Sequence, residues 1–536
     1  MNAIEWIAKN LRSALALVST LALAAAVVVA CAKSDSSPFG PGSGGSSGAS
    51  TSGGGGFGSL DSGFGSLDGS TGTLYGQACS GNGWNCKIDA CEAGPKTTVT
   101  AKIYDPAGKV PLYNVAVYVP NTSLDAIVTG PTCDNCATPV SGSPVVSALT
   151  DSTGQFVLQD VPVGTDVPLV IQVGKWRRSI TLPEVKPCQD NPFDDPTTFR
   201  LPRNQSEGDV PKIALAVGGA DTLECLLRRI GIDDAEFTNP TGSGRINLFV
   251  DDIFGTAGVD TPTSAYANGD AFANFSTLFA AVDGVADGGF IDGGLDPLSS
   301  YDIVMIACQG SQSAGRAVTS AEKQGLKTFV DTGGRAFLSH YNYSWLRGGD
   351  VVGSKDLLPS PEGSAIDLQT KYSQTPFPPI AVWEDPTALT YAPGGDGTYL
   401  VDTSFPRGSD MSKWLLNVGA STTAGSIALS NVKDPATSVI DGGVAERWIY
   451  EDSMGTPYIS ANTPIEEAAT PDLQCGRIVH TGIHVAAVSS DTHSAFPNGC
   501  VTGDLTAQEK ALEFLFFDLS SCVSDETKEP PPPPVR

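Results

Sequence analysis

The apolar and polar positions change rhythm several times along the chain. Residues 13–30 are an almost unbroken apolar run. Residues 31–78 then carry little that could be buried, being mostly Gly and Ser with some Thr and Asp, and predict a flexible tether without a core. Between 97 and 182 apolar and polar residues alternate in short runs. TTVTAKIYDPAGKVPLYNVAVYVP (97–120) reads as strand, turn, strand, with the turn at DPAG (105–108). Turns at DSTG (151–154) and VPVG (161–164) separate further strands. Short strands at this spacing predict a β-sandwich over 97–203, after a Cys-rich knot at 79–96.

From residue 204 the period lengthens. KIALAVGGADTLECLLRRIGI (212–232) runs from an apolar strand through Gly218 and Gly219 into an amphipathic helix. Asp221 and Glu224 have the spacing of a capping box there. Further strands are expected at 245–250, 301–307, 334–340 and 476–485, with helices around 318–331 and 506–522. Strands alternating with helices predict an α/β domain with a parallel sheet over 204–525. Residues 346–475, rich in Pro, Gly, Thr and Ser, read as a long irregular insertion with its own strands. A proline run (530–534) makes the 526–536 tail extended and solvated. The fold class is therefore multidomain, a β-sandwich plus an α/β sheet, with disordered ends.

Charge narrows the partners. The 536 residues carry a net charge of −27, which excludes phosphate-backbone binding and hence nucleic acid, and disfavours docking on anionic lipid. Lys9 and Arg12 precede the apolar run, and Cys31 ends it, the layout of a secretory signal over residues 1–30. Val28, Val29, Ala30 and Cys31 resemble the bacterial lipoprotein box. That resemblance implies cleavage before Cys31, lipidation of its thiol and, with Ala32 next, the outer membrane, periplasmic or surface-facing. The tether then spans roughly 40 Å. It contains a tandem repeat, GFGSLDS (56–62) and GFGSLDG (63–69).

Eleven cysteines remain, and outside the cytosol they default to disulfides. The candidates are Cys79, Cys86, Cys91, Cys133, Cys136, Cys188, Cys225, Cys475, Cys500 and Cys522. Cys308, ending the apolar run YDIVMIAC, is the thiol left over. The spacing of Cys86, Cys91, Cys133 and Cys136 leaves a four-thiolate zinc site as an alternative.

Two resemblances add to this. Asp105, Gly108, Pro111, Leu112, Val115 and Val117, followed by Thr150, Asp151, Gly154, Phe156, Leu158, Val161, Pro162 and Gly164, resemble the carboxypeptidase regulatory-like, transthyretin-like family. That implies an accessory sandwich with no catalytic residue. In it GKWRR (174–178) reads as a strand-end rim, or as an anionic-sugar site around Trp176. The second half is similar to class I glutamine-amidotransferase-like, flavodoxin-like domains of the trehalose-utilisation type, with Gly333 and Gly334 leading to His340, and Gly476 and Arg477 leading to His484. Active members need a nucleophile on a strained strand-to-helix turn. Here that stretch is LSHYN (338–342), which implies a degenerate relative.

The chain holds four histidines, His340, His480, His484 and His493. A doubly wound sheet brings His340 and His484 to its carboxyl edge; His480 and His484, four apart on a strand, would share a face. Tyr341, Tyr343, Trp345, Asp251 and Asp252 join them as rim candidates for a sugar or a divalent metal. Semi-buried structural histidines, and a nucleophile formed by Ser339 or Cys308 with His484, are the alternatives. Neither Ser339 nor Cys308 is expected within reach of His484 in a water-accessible cleft. Asp283, Asp287, Asp292 and Asp296 match no calcium loop and read as a solvated acidic turn. No cofactor is required. The overall reading is an envelope lipoprotein, a non-catalytic binding or structural surface protein whose partner is an envelope glycan or another envelope protein. An envelope hydrolase or amidase, or a sugar- or metal-binding protein, is the alternative.

Overall fold

The computed structural model describes residues 83–535 apart from 93, 251–263, 280–296, 310–317, 348–356, 360–364, 368–374, 384–391, 434, 441–443, 469 and 486–493. The leader, Cys31, the tether, Cys79, Asp251, Asp252, His493 and the acidic run 283–296 lie outside the described residues. All described residues belong to one compact unit within 77–536.

The first seven strands are β1 (Thr98–Lys102), β2 (Ala116–Pro120), β3 (Pro144–Leu149), β4 (Gln155–Gln159), β5 (Gly164–Val173), β6 (Trp176–Val185) and β7 (Asp190–Pro192). They form two sheets, ordered β4-β1-β7 and β3-β2-β5-β6. Val99, Val117, Phe156, Leu158, Leu169 and Ile171 fill the space between them, the inward set that period-2 alternation provides. Asp105 closes its turn by accepting from the Lys109 and Val110 amides. Thr150 accepts from the Val115 amide and donates to Leu112 O, locking two strands together.

The second half contributes β8 (Ile213–Val217), β9 (Phe237–Thr238), β10 (Ile246–Val250), β11 (Ala273–Asn274), β12 (Ile303–Ile306) and β13 (Arg335–Ser339). The short strands β14 (Leu357–Pro359) and β15 (Ala365–Asp367) pair with each other. Then come β16 (Ala381–Val382), β17 (Gly395–Val401), β18 (Ser426–Val432), β19 (Ser438–Val439), β20 (Glu446–Glu451), β21 (Gly455–Thr463) and β22 (Gly476–Thr481). Among the described residues four helices accompany them: α1 (Leu223–Arg229), α2 (Ser320–Asp331), α3 (Pro406–Asn417) and α4 (Ala507–Ser520).

Among the described residues one large sheet runs β11-β10-β8-β12-β13-β22-β21-β20-β17-β18, with β9 beside β10. It is parallel from β11 to β22 and antiparallel from β22 to β18. Strands β8, β12, β13 and β22 are buried at every position, as a parallel sheet covered on both faces requires. The stretch 346–475 is thus not a self-contained insertion. Its strands β17, β18, β20 and β21 extend the main sheet, because β21 pairs directly with β22 and continues the ladder.

Sandwich and sheet share one hydrophobic cluster. Trp176 is fully buried, edge-on to Phe516 and Phe517 of α4, with ring centroids 6.4 and 5.9 Å away. Arg177 is also buried and bonds Asp209 and Ser141. GKWRR is therefore packing between the halves, not an exposed sugar rim. Among the described residues four disulfides join Cys91 to Cys188, Cys133 to Cys475, Cys136 to Cys522 and Cys225 to Cys500. The middle two fasten the 131–140 loop of the sandwich to both ends of the β22–α4 segment. With the Cys91–Cys188 bridge they also remove the four-thiolate zinc alternative, since Cys91, Cys133 and Cys136 are all consumed.

One residue of the proline tail departs from the solvated reading. Pro533 is buried, and its carbonyl accepts from the Ser147 hydroxyl on β3 at 2.5 Å. An extended proline segment leaves its carbonyls unpaired internally, so a strand-edge hydroxyl can take one.

Helix caps correct another reading. Thr319 with Glu322 and Thr506 with Glu509 form reciprocal capping boxes on α2 and α4. At α1 the N-cap is Thr222 and no side chain caps it. Asp221 is drawn away to the sheet edge instead.

Candidate functional site

The carboxyl ends of β12, β13 and β22 lie side by side, since these strands are neighbours in the sheet. Each delivers one nucleophilic or ligating side chain just past its last residue. β12 leads through Ala307 to Cys308, β13 leads directly to His340, and β22 ends at Thr481, three residues before His484. One sulfur or nitrogen atom of each lies within 4.8 Å of the other two. Cys308 Sγ stands 2.9 Å from His340 Nδ1. The rings of His340 and His484 meet edge-to-face, centroids 5.0 Å apart. Cys308, His340 and His484 are 0, 4 and 3% exposed.

Local backbone geometry builds this arrangement. His340 has φ of +49°, a left-handed conformation disfavoured for a residue with a Cβ, at the turn from β13 into a short 3-10 segment, His340–Trp345. Asn342 holds the turn, its amide donating to Ile306 O, Ala307 O and Ser339 O. Tyr341 stacks on the His340 ring at 3.7 Å. Across the sheet, Gly218 lets the loop after β8 approach Cys308; a Cβ there would sit 2.2 Å from Cys308 O. The Ala220 amide donates to that same carbonyl at 3.0 Å.

Asp221 follows in this loop. It is 1% exposed and accepts from Ser339 Oγ at 2.5 Å and from the Val485 amide at 2.8 Å. Burial pushes its carboxyl above the usual range, opposed by His484 and by these two hydrogen bonds. His484 Nδ1 lies 3.2 Å from Asn431 O. With Nδ1–H donating there, Nε2 keeps its lone pair, and Nε2 has no hydrogen-bond partner among the described residues.

His480 plays a different part. It lies on β22, fully buried, and its Nε2–H donates to His340 O at 2.7 Å. Burial lowers its pKa to about 3, so the ring is neutral and structural. The strand ends between it and His484, so the pair do not share one strand face. They flank His340, one on its carbonyl and one on its ring. Tyr343 and Trp345 are also fully buried. Tyr343 stacks on Trp383 at 5.4 Å, and Trp345 packs on Phe279 at 5.3 Å. Of the expected aromatic rim only Tyr341 is partly exposed.

Arg477 of the Gly476–Arg477 pair is likewise structural. It is 1% exposed and bonds Asp518 Oδ2 at 2.6 Å and Glu526, while Arg407 joins Asp518 from the other side at 3.0 Å. A Cβ on Gly476 would fall 1.8 Å from Val330 O, so only glycine fits there.

Sequence reasoning weighed Cys308 only against His484, expecting the two out of reach, and missed its partnership with His340. It also missed Asp221, whose capping-box spacing concealed its role. The signal for Asp221 was its position two residues after the Gly218–Gly219 pair at a strand's carboxyl end. Ser339 turns to Asp221, and its hydroxyl is occupied there.

No family model matches the chain, and no curated protein matches it. Two solved structures align over a quarter of it, both titled as interface mutants of a type II cohesin–X-dockerin complex from Acetivibrio cellulolyticus. One shows 18% identity over 27% of this chain and 75% of that one, with a TM-score of 0.14. The other shows 17% identity over 26% and 85%, with a TM-score of 0.15. At such scores the similarity carries no assignment.

Proposed function

We propose that the chain is an outer-membrane lipoprotein, anchored through Cys31 and its tether, whose α/β body binds a ligand at the carboxyl edge of the sheet and does not catalyse. Four disulfides support export, since such bridges persist in oxidising compartments. The parallel order β10-β8-β12-β13-β22, which is 2-1-3-4-5 in chain order, supports a flavodoxin-like reading. The β-sandwich, with Asp105 and Thr150 locking its turns, is in keeping with a regulatory-like accessory module.

The observation that carries the binding reading is His340 at the strained strand-to-helix turn. An amidotransferase-like enzyme places its nucleophile at such a turn. Here the turn holds an imidazole, and the adjacent Ser339 hydroxyl is committed to buried Asp221. The body is a degenerate relative of those enzymes, displaying its ligand site to an envelope glycan or another envelope protein.

A second reading, a cysteine hydrolase, has one observation in its favour, the 2.9 Å approach of Cys308 to His340. Alkylation separates the two. Native protein is treated with a chloroacetamide electrophile and digested for mass spectrometry. An inert Cys308 sustains the binding reading. Rapid, selective modification of Cys308 that His340→Ala suppresses would establish the nucleophile. Anchoring is tested by Cys31→Ser, which is expected to leave the membrane fraction or to retain its leader. Correct cleavage with unchanged membrane fractionation would refute the lipid anchor.

A further inference from the structure

We infer that Cys308, His340 and His484 form a three-ligand site for a thiophilic d10 cation, Zn2+ or Cu+. The inference rests on the binding reading above and names the ligand of that edge.

Donor chemistry comes first. One thiolate and two imidazoles are a set that zinc and copper favour, whereas calcium and magnesium select oxygen. The three side chains come from three adjacent strand ends, separated by 32 residues between Cys308 and His340, so no local motif accounts for their convergence. Their ligating atoms already lie within 4.8 Å of one another. An ion about 2.3 Å from sulfur and about 2.0 Å from nitrogen would hold Sγ and Nδ1 roughly 3.6 Å apart. The present separation is 2.9 Å, so a small opening of two side chains admits the ion.

His484 supplies the independent observation. Its Nε2 is buried, lacks a hydrogen-bond partner among the described residues, and belongs to a ring whose Nδ1 faces Asn431 O. A backbone carbonyl on the far nitrogen is how metal-ligating histidines are oriented. Asn431 is itself held at φ of +55° and anchored by its amide to Asp396. At His340, Nδ1 is the ligand and Nε2 carries the proton. Binding then replaces one S–H bond: the Cys308 thiol loses its proton to solvent, a sulfur–metal bond forms, and both imidazoles stay neutral. Asp221, hydrogen-bonded to Ser339 and Val485 beside His484, places a carboxylate near the cation. Three protein donors are one short of the four that zinc usually takes.

The test uses the full folded chain, stripped with a chelator and titrated separately with Zn2+, with Cu+ under anaerobic conditions, and with Mg2+ as a control. Bound metal is counted after desalting, thermal unfolding is followed, and Co2+ is added to look for a sulfur-to-cobalt charge-transfer band. One equivalent of Zn2+ or Cu+ is expected, with affinity falling at least about tenfold to hundredfold in Cys308→Ala and His484→Ala. The cobalt band should vanish in Cys308→Ala alone. Both variants are checked by far-ultraviolet circular dichroism. If either fails to fold, Asp396→Ala replaces it; loss of the acceptor that anchors the Asn431 amide should loosen the carbonyl facing His484 and weaken binding while keeping the sulfur band. The two cations are distinguished by which one binds more tightly in competition. No stoichiometric metal in the wild type, or equal metal in folded variants, overturns the site. Alkylation of Cys308 is measured on the same metal-free protein. A selectively reactive Cys308 removes the binding reading, whereas an inert Cys308 without bound metal removes only the metal.

Discussion

Ser339 Oγ donates to Asp221 Oδ2 at 2.5 Å, joining the end of β13 to a loop 118 residues earlier in the chain. Both groups are buried, at 0 and 1% exposure. Removing the hydroxyl leaves a buried carboxylate with one donor fewer, which costs about 1–3 kcal/mol. Ser339→Ala should therefore lower the unfolding free energy by that amount, seen as a lower urea midpoint at unchanged slope. An unchanged midpoint would show that water replaces the hydroxyl.

Burial raises the Glu224 carboxyl to about 8 from its ordinary 4.5, with its own backbone amide opposing and the Asp221 carboxylate adding to the rise. The folded chain thus keeps a proton that the unfolded chain loses between those values, so this group makes stability fall as pH rises from 4.5 to 8. Glu224→Gln should flatten that slope and gain on the order of a few kcal/mol relative to wild type at pH above 8. Parallel denaturation curves at acid and alkaline pH measure it. An identical pH dependence in the variant would refute the buried-acid assignment.

Trp176 is completely buried between sandwich and α4. Trp176→Ala is expected to cost about 3–5 kcal/mol, as large aromatic deletions from a core do. Because both halves share one core, fluorescence and calorimetry should report a single transition, displaced as a whole. Two separate transitions, with only one shifted, would mean that the sandwich folds independently.

Mass mapping of unreduced, digested protein should find Cys133 joined to Cys475 and Cys136 to Cys522. The double variant Cys136→Ser, Cys522→Ser should unfold at lower temperature, since a long loop is no longer closed in the unfolded chain; the loss is about 2–4 kcal/mol. A swapped pairing of these four sulfurs would contradict the seating of the 131–140 loop.

Alternation over 97–182 and the strand–helix rhythm after 204 were enough to find β1, β2, β4, β5, β8, β12, β13, β22, α2 and α4, because each depends on neighbours within a few residues. The Asp105 turn was legible for the same reason. The capping-box reading of Asp221 failed because the spacing of an acid pair cannot say whether a helix amide or a distant serine wins the carboxylate. Strands β17, β18, β20 and β21 were assigned to a separate insertion because nothing local marks a strand as the continuation of another sheet.

The sequence by itself determined the locally periodic strands and helices named above, the turns at 105–108 and 151–154, and that Cys308, His340 and His484 each stand near the end of an apolar strand. Only the tertiary structure decided that these three ends are neighbours, that Cys308 faces His340, that Tyr343 and Trp345 are core, and which cysteines bond. Local periodicity records the face a residue presents. Strand order and side-chain convergence follow from burying those faces together across hundreds of residues, and that balance is set by the whole core.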